Sequence, residues 1–490
     1  MAQRADRAGA GWRFDNTFAT LPDVLFTRLL PTPVAAPRML VFNRELAVEM
    51  GLDPEALDGE AGARVLAGNE IPAGAAPLAM AYSGHQFGHF TTLGDGRAIL
   101  IGEHVAPGGR RYDLHLKGCG RTPYSRDGDG RAAVGPMLRE HLVSEAMHAL
   151  AIPTTRSLAV VATGEQVLRD RPLPGAVLAR VAASHIRVGT FEHLAARGDL
   201  AALRALVDHT LRRHGPEAGG DGAAAALLAA AVERQAVLVA RWMLVGFVHG
   251  VMNTDNAALS GETIDLGPCA FMDGWDPDAV FSSIDLRGRY AYGNQPGIAL
   301  WNLARLAEAL LPLLHDRPEP AREIAVAVLR GFAERYERAY DEGLRAKLGL
   351  LVREEGDAEL MAELFSRMRA ARADFTSTFA ALAREGGPRG SPFADPGLTA
   401  WHERWRARLA RQDAPPAVAL AQARRHSPAL IPRNHLVEEA LGAAVDGGDL
   451  GPFHALLDAL RRPYDHEGAP PRFTAPPRGD TSGYRTFCGT

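Results

Sequence analysis

Lysine is almost missing from this chain. Of 54 basic residues only Lys117 and Lys347 are lysines, and all the others are arginine. Cysteine is scarce as well: Cys119, Cys269 and Cys488 are too few and too scattered for a disulfide framework or a zinc cluster. There is no long basic run and the formal net charge is only −4, which argues against a nucleic-acid partner held through phosphates. No G-x-x-x-x-G-K-[ST], G-x-G-x-x-G or G-x-S-x-G sequence occurs, so P-loop, Rossmann and hydrolase-elbow sites have no support. The first 25 residues lack an apolar segment of signal-peptide type. The longest apolar stretch, AAAALLAAAV at 223–232, is cut by Glu233 and Arg234 before it could span a bilayer. A cytoplasmic enzyme without membrane contact is expected; nothing in the sequence speaks to its oligomeric state.

What is present is material for a large core. With 490 residues and 47% hydrophobic content, the chain predicts two or three closely packed subdomains. Residues from about 80 to 190 are rich in glycine and short alternating runs, and from about 195 onward the text turns helical and alanine-rich. The expected divisions are an N-terminal extension (1–79), a strand-rich part (80–194), a helical part (195–460) and an irregular tail (461–490). RAILIGEHV (97–105) and RYDLHLKG (111–118) read as strand, turn, strand. In the second, Tyr112, Leu114 and Leu116 share one face by period two, leaving Asp113, His115 and Lys117 on the other. A helix is expected over 136–150, with Pro136 at its start and Glu140 in its second turn. Further strands are expected at 157–163 and 175–182, and helices near 198–214, 223–249, 298–315, 320–346, 356–385 and 396–425.

Four constellations carry chemistry. An arginine-biased chain that still writes lysine at 117 points to a tight site wanting a compact ammonium, whereas for Lys347, inside a helical run, chance suffices. Glu140, 23 residues on, can brace that ammonium toward a phosphate, or the two can form a plain salt bridge. GDGRA occurs twice, at 94–98 and 128–132, and such glycines let backbone N–H groups approach phosphates. Arg180, inside an otherwise apolar strand, and Arg187 need anionic partners, which a triphosphate or a nearby carboxylate can supply. Finally, GVMNTDNAALSGETIDLGPCAFMD (250–273) predicts a β-hairpin turning at 260–262. Alone, NTDN reads as turns capped by Asx side chains; paired with Asp265 across the hairpin, it reads as a set of hard oxygen ligands for Mg²⁺. His85 and His89 have i, i+4 spacing but no third ligand in register, so zinc is not favoured.

In order, these parts are a glycine loop, a strand lysine, a helix glutamate, a metal-binding loop and an acid opening the next loop, as in a kinase-like nucleotide site. HRD and DFG are absent; HGVMNTDN (249–256) and DLG (265–267) stand in their places. With YSGHQFGHF, LGDGRA, LKGCGRTPYSRDGDGRA and IDLGPCAFMD, the chain closely resembles the SelO family, also called YdiU, of pseudokinase-fold protein adenylyltransferases. The resemblance implies an α+β, protein-kinase-like two-lobed fold: a β-rich N-lobe with a helix, and a larger, mainly helical C-lobe with added C-terminal helices. It implies ATP as co-substrate, bound inverted relative to kinases, so that AMP passes to a Ser, Thr or Tyr hydroxyl of a protein. Gly94, Gly96, Arg97, Lys117, Asp129, Gly130, Arg180, Arg187 and Asp265 would bind the nucleotide, with Glu140 bracing Lys117. Asp255 would accept the proton, and Asn256 and Asp265 would ligate Mg²⁺ or Mn²⁺. The residues alone leave open the alternative of a protein or small-molecule kinase transferring the γ-phosphate. A Cys269–Cys488 disulfide tethering the tail beside the site is a further expectation, against two inert thiols.

Overall fold

The alternating stretches near 97–105 and 111–118 become two neighbouring strands at the middle of the main sheet. In the computed structural model, which describes residues 9–215, 220–384, 393–479, 481 and 483–487, the strands in chain order are β1 (Phe26–Arg28), β2 (Arg38–Phe42), β3 (Leu78–Met80), β4 (Ser83–Gln86), β5 (His89–Thr92), β6 (Ala98–Val105), β7 (Arg111–Lys117), β8 (Ala132–Ala133), β9 (Arg156–Leu168), β10 (Pro172–Ala182), β11 (Phe247–Val248) and β12 (Ala270–Phe271). An eight-stranded sheet runs β1-β3-β6-β7-β10-β9-β2, with β8 beside β10. Its pairings are antiparallel. β4 pairs with β5 and β11 with β12, each apart from the main sheet.

Both faces of this sheet are covered, which is why β6, β9 and β10 carry apolar residues on both sides, while β7 turns Asp113, His115 and Lys117 to one of them. The helix Val134–Ala149 lies on one face, where Leu138 and Leu142 share a core with Val160 and Leu178. On the other face Leu46, Leu57 and Leu66 from the N-terminal segment meet Ile99, Leu116 and Val177. Residues 1–79 thus give the sheet β1, β2 and the start of β3 as well as one of its covers.

Beyond β10 the chain is mostly helical. Helices at Leu200–His214, Gln295–Leu314 and Pro318–Lys347 occupy the expected ranges, and Ala223–Leu244 most of its own. The expected 223–249 helix stops at Leu244, because Gly246 takes φ +72° and Phe247 and Val248 pair with Phe271 and Ala270. The expected 356–385 helix is two, Asp357–Ala370 and Phe375–Leu382, broken where Arg372 turns to φ +50° and Asp374 caps the second. Pro415 and Pro416 likewise divide 396–425 into Pro396–Leu409 and Pro416–His426. Ala223–Leu244 and Tyr292–Leu314 are long and apolar enough to cross a membrane by length and composition; in the fold they pack against one another and against Pro318–Lys347.

The hairpin expected about 260–262 is not formed. The backbone of its flanks is taken by other partners: Val188 N–H donates to Ala257 O, Leu259 N–H to Ile186 O, and Thr155 N–H to Thr263 O. The pairing strands stand outside it, at 247–248 and 270–271, and the segment between them is tied by isolated bridges to Thr154 and Arg187, before β9 and after β10.

Candidate active site

β7 delivers Lys117 at its last residue, and the register sets it opposite Ala98 and Leu178 at the sheet edge of a cleft of 480 Å³. The ammonium is buried and bracketed: Nζ donates to Glu140 Oε2 at 2.6 Å and to Asp265 Oδ1 at 2.6 Å. Glu140 reaches it from the helix Val134–Ala149, which packs across β9 and β10. Arg180, directly opposite His115 in the β7–β10 register, donates Nη1 to Asp265 Oδ1 at 2.7 Å and lies 3.3 Å from Glu140 Oε1. Arg187 Nη1 is 3.8 Å from Asp265 Oδ2 and donates to the main-chain oxygen of Asp255 at 2.9 Å, with its guanidinium 4.4 Å over the Tyr82 ring.

Three cations therefore converge on one carboxylate. Although burial opposes ionisation, Lys117, Arg180 and Arg187 together hold the Asp265 carboxyl well below the usual carboxylate range. Asp265 adopts φ +58°, an uncommon left-handed conformation for a non-glycine residue, which turns its side chain into the cleft.

Asp255 lies in a short 3₁₀ turn, Thr254–Asn256, and lines the same cleft. Its Oδ1 is buried without a hydrogen-bond partner, and burial pushes its carboxyl up to about 6, against the pull of Arg187. Asn256 donates Nδ2 to Val251 O at 2.9 Å, which fixes the amide. The cleft is thus lined by hard oxygens from Asp255, Asn256 and Asp265. That donor set fits Mg²⁺, which takes one or two carboxylates and completes its shell with phosphates and water. Among the described residues no group of three or more His, Cys, Asp or Glu side chains is placed to hold a metal ion by itself.

Both GDGRA loops pack tightly on the segment 120–125. A Cβ on Gly94 would meet the Tyr124 ring at 2.3 Å, and one on Gly96 would meet Tyr124 O at 2.9 Å. Gly130, at φ +71°, lies so close to Gly120 that a Cβ would come within 2.2 Å of its backbone. These glycines are demanded by loop-on-loop packing as well as by any ligand. Arg97 and Asp129 both line the cleft; Asp129 accepts from Arg131 N–H at 2.9 Å and pairs with Arg169 at 2.8 Å on the exposed rim. Six arginines and one lysine line the cleft against five carboxylates, an excess suited to polyphosphate.

Several contributors escape sequence reasoning. Asp95, inside the first GDGRA, accepts from Met80 N–H and lies 3.0 Å from His115 Nε2. The β4–β5 hairpin, formed by SGHQFGHF, leans on the 253–256 turn: His85 N–H donates to Thr254 Oγ1 at 2.7 Å and Phe87 N–H to Asn253 Oδ1 at 2.9 Å. His85 Nδ1 contacts Glu192, and His89 is exposed at the hairpin's far strand. The glycines of that motif were the available signal, since Gly84 leaves room for the Asp255 carboxylate.

Cys269 is fully buried, its Sγ donates to Leu266 O at 3.0 Å, and burial raises the thiol to about 12. Cys488 lies outside the described residues, but the tail just before it reaches this corner: Thr486 Oγ1 donates to Pro268 O at 2.6 Å.

A family model described as protein adenylyltransferase SelO matches residues 11–461. The chain is 56% identical to a protein nucleotidyltransferase YdiU of Geobacillus kaustophilus over 98% of this chain and all of the relative. It is 55% identical to that of Syntrophotalea carbinolica over 98% of each chain. A relative of the same description in Bradyrhizobium is 56% identical over 97% of this chain and 99% of its own length.

Proposed function

The chain belongs to the SelO family, and we propose that its cleft transfers AMP from ATP to Ser, Thr or Tyr hydroxyls of proteins within a two-lobed, kinase-like architecture in the cytoplasm. The observation that carries this reading is the cluster of Lys117, Arg180 and Arg187 around Asp265, facing a buried carboxylate, Asp255, with one oxygen unpaired.

Asp255 accepts the proton of the incoming hydroxyl, whose oxygen forms a bond to the α-phosphorus. The bond from that phosphorus to the bridging oxygen breaks, and pyrophosphate leaves with the electron pair. Lys117, held by Glu140, and Arg180 and Arg187 stabilise the charge on the phosphates. Gly94, Gly96, Arg97, Asp129 and Gly130 shape the wall along which the nucleotide lies. Asn256 and Asp265 would hold Mg²⁺, or Mn²⁺ in its place, which supplies further positive charge to the phosphates when bound. The inverted placement of ATP is a reading carried by the family resemblance, and the buried cations Arg180 and Arg187 beside Asp265 are available to the phosphates in it.

Incubation with Mg²⁺ and ATP labelled at either the α or the γ position separates this from a kinase. Label is expected on protein from the α position only; retention from γ alone would establish γ-phosphoryl transfer instead. Cys269 and Cys488 are proposed as a redox pair, supported by the Thr486–Pro268 contact. Peptide mapping without reductant, after oxidation with diamide, is expected to recover a 269–488 link, and its absence would dismiss the pair.

A further inference from the structure

Behind the cation cluster lies a layer of polar groups that the transfer itself does not use. His115 stands opposite Arg180 in the β7–β10 register, at the back of the cleft, and is 0% exposed. Both of its ring nitrogens are engaged. Nδ1 is 3.1 Å from Arg180 Nη2, and Nε2 is 3.0 Å from Asp95 Oδ2. A guanidinium can only donate and an ionised carboxylate can only accept. Nδ1 must therefore be bare and Nε2 must carry the proton, which leaves the ring neutral and in one tautomer.

Asp95 is itself anchored. It is 3% exposed, and the oxygen facing His115 also accepts the Met80 N–H at 3.0 Å. At the other end Arg180 turns its remaining terminal nitrogen to Asp265 at 2.7 Å. The groups facing the imidazole are Arg180 from β10, Asp95 from the loop before β6, and His185 and Arg187 from the segment after β10. His185 stacks on the ring at 4.2 Å and is backed by Asp113. Burial and the neighbouring arginines disfavour a proton on Nδ1, while Asp95 favours a charged ring.

We propose that His115 is a positioning residue for the nucleotide: held in its Nε2–H form by Asp95, it supplies the acceptor that fixes the Arg180 guanidinium in the phosphate-binding orientation. The relay rests on the nucleotide reading above and adds to it a route by which a strand-loop carboxylate, Asp95, sets the aim of a phosphate-binding arginine. Without the acceptor, Nη2 of Arg180 loses its anchor, only Nη1 stays held by Asp265 and Glu140 at the cleft side, and the guanidinium rotates about that end.

Two measurements on the full chain test this. In ¹⁵N spectra of histidine-labelled protein, with His115→Gln identifying the resonance among 17 histidines, the ring is expected to show one bare and one protonated nitrogen, unchanged from about pH 5.5 to 8. A ring titrating near its ordinary value of about 6.5 would overturn the relay, whatever the ligand. Calorimetric titration with ATP and Mg²⁺ then compares wild type, Arg180→Ala, His115→Leu, His115→Gln and the Arg180→Ala/His115→Leu double variant. His115→Leu is expected to weaken ATP binding about ten- to a hundredfold, the scale of a lost hydrogen bond to a charged group. The double variant should bind no more weakly than Arg180→Ala alone. His115→Gln, whose amide can accept from Arg180 and donate to Asp95, should recover binding to within about threefold. Wild-type affinity in His115→Leu, or additive losses in the double variant, would overturn the proposal. Should the leucine variant not fold, the glutamine variant and the tautomer decide. A wild type without affinity for ATP would sink the nucleotide reading, while the spectra still judge the relay.

Discussion

Lys117 and Asp265 are 148 positions apart in sequence and 2.6 Å apart in the fold, and Glu140 takes the same ammonium from the other side at 2.6 Å. An ammonium is a compact charge that can sit between two carboxylates in a buried space, whereas a guanidinium is a wide planar fork. The pairing also explains why Asp265 is tolerated at φ +58°: three cations pull its carboxylate toward the sheet.

Asp265→Ala is therefore expected to remove AMP transfer, by about 10³-fold or more, because Lys117, Arg180 and Arg187 lose the anion that gathers them. Lys117→Arg should lower transfer by about 10²-fold although it keeps the charge, since the fork cannot occupy the ammonium's space. Transfer of α-labelled AMP to protein measures both, and wild-type rates in Lys117→Arg would contradict the spatial argument.

For Asp255 the direction of the pH effect follows from burial. The proposed base must be ionised to accept a proton, and its carboxyl is pushed up to about 6, so kcat should fall as pH drops through about 6. Asp255→Asn should lower kcat by about 10²- to 10⁴-fold while leaving ATP affinity within a few-fold. Because the folded-state value lies above the unfolded 3.8, the stability linked to this group is present at low pH and lost as pH rises through 6. Asp255→Asn should thus raise Tm at pH 7.5 more than at pH 4.5, and an equal shift at both would contradict the burial argument.

How much of this was readable in the sequence depends on whether the signal was local. Lysine scarcity singled out Lys117, period two put His115 and Lys117 on one face, and an arginine within an apolar strand flagged Arg180; the fold brings Lys117 and Arg180 onto Asp265. What failed to show depends on partners distant in sequence. Asp95 gains its meaning only when β6 and β7 are paired and His115 turns toward it. The hairpin expected at 260–262 is lost because Ile186, Val188 and Thr155 compete for its backbone. The single helix expected over 356–385 is broken by one left-handed residue, Arg372, which nothing in residue type announces.

Gly84 is a position where one methyl group should matter. A Cβ there would stand 2.5 Å from Asp255 Oδ1 and 3.0 Å from its Cβ and Cγ, so the carboxylate would have to move. Gly84→Ala should lower kcat by up to about 10²-fold, the cost of displacing a reacting group by about an ångström, with the KM for ATP little changed. Gly108→Ala, where nothing lies within 4 Å, is the control and should act as wild type. A matching loss of ATP affinity in Gly84→Ala would point to collapse of the cleft rather than displacement of Asp255.

Lys347, read from sequence as an accident, is the other buried lysine: it is 2% exposed, donates to Leu244 O at 2.7 Å and sits 4.3 Å over the Phe379 ring. Burial lowers its ammonium to about 7 from an ordinary 10.5. With the folded-state value depressed, the unfolded chain binds more protons between about pH 7 and 10.5, so the stability contributed by Lys347 is present above that range and lost as pH falls through it. Lys347→Met removes the titrating group and keeps the apolar stem. Denaturation of both proteins at pH 7, 8.5 and 10 should show wild type gaining on the variant as pH rises, by at most about 1.4 kcal/mol per pH unit. Taking the difference cancels tyrosines and other groups common to both chains. A pH-independent difference would mean that the Phe379 ring and the Leu244 carbonyl keep the ammonium charged inside the fold, and that cation–π attraction outweighs desolvation at this site.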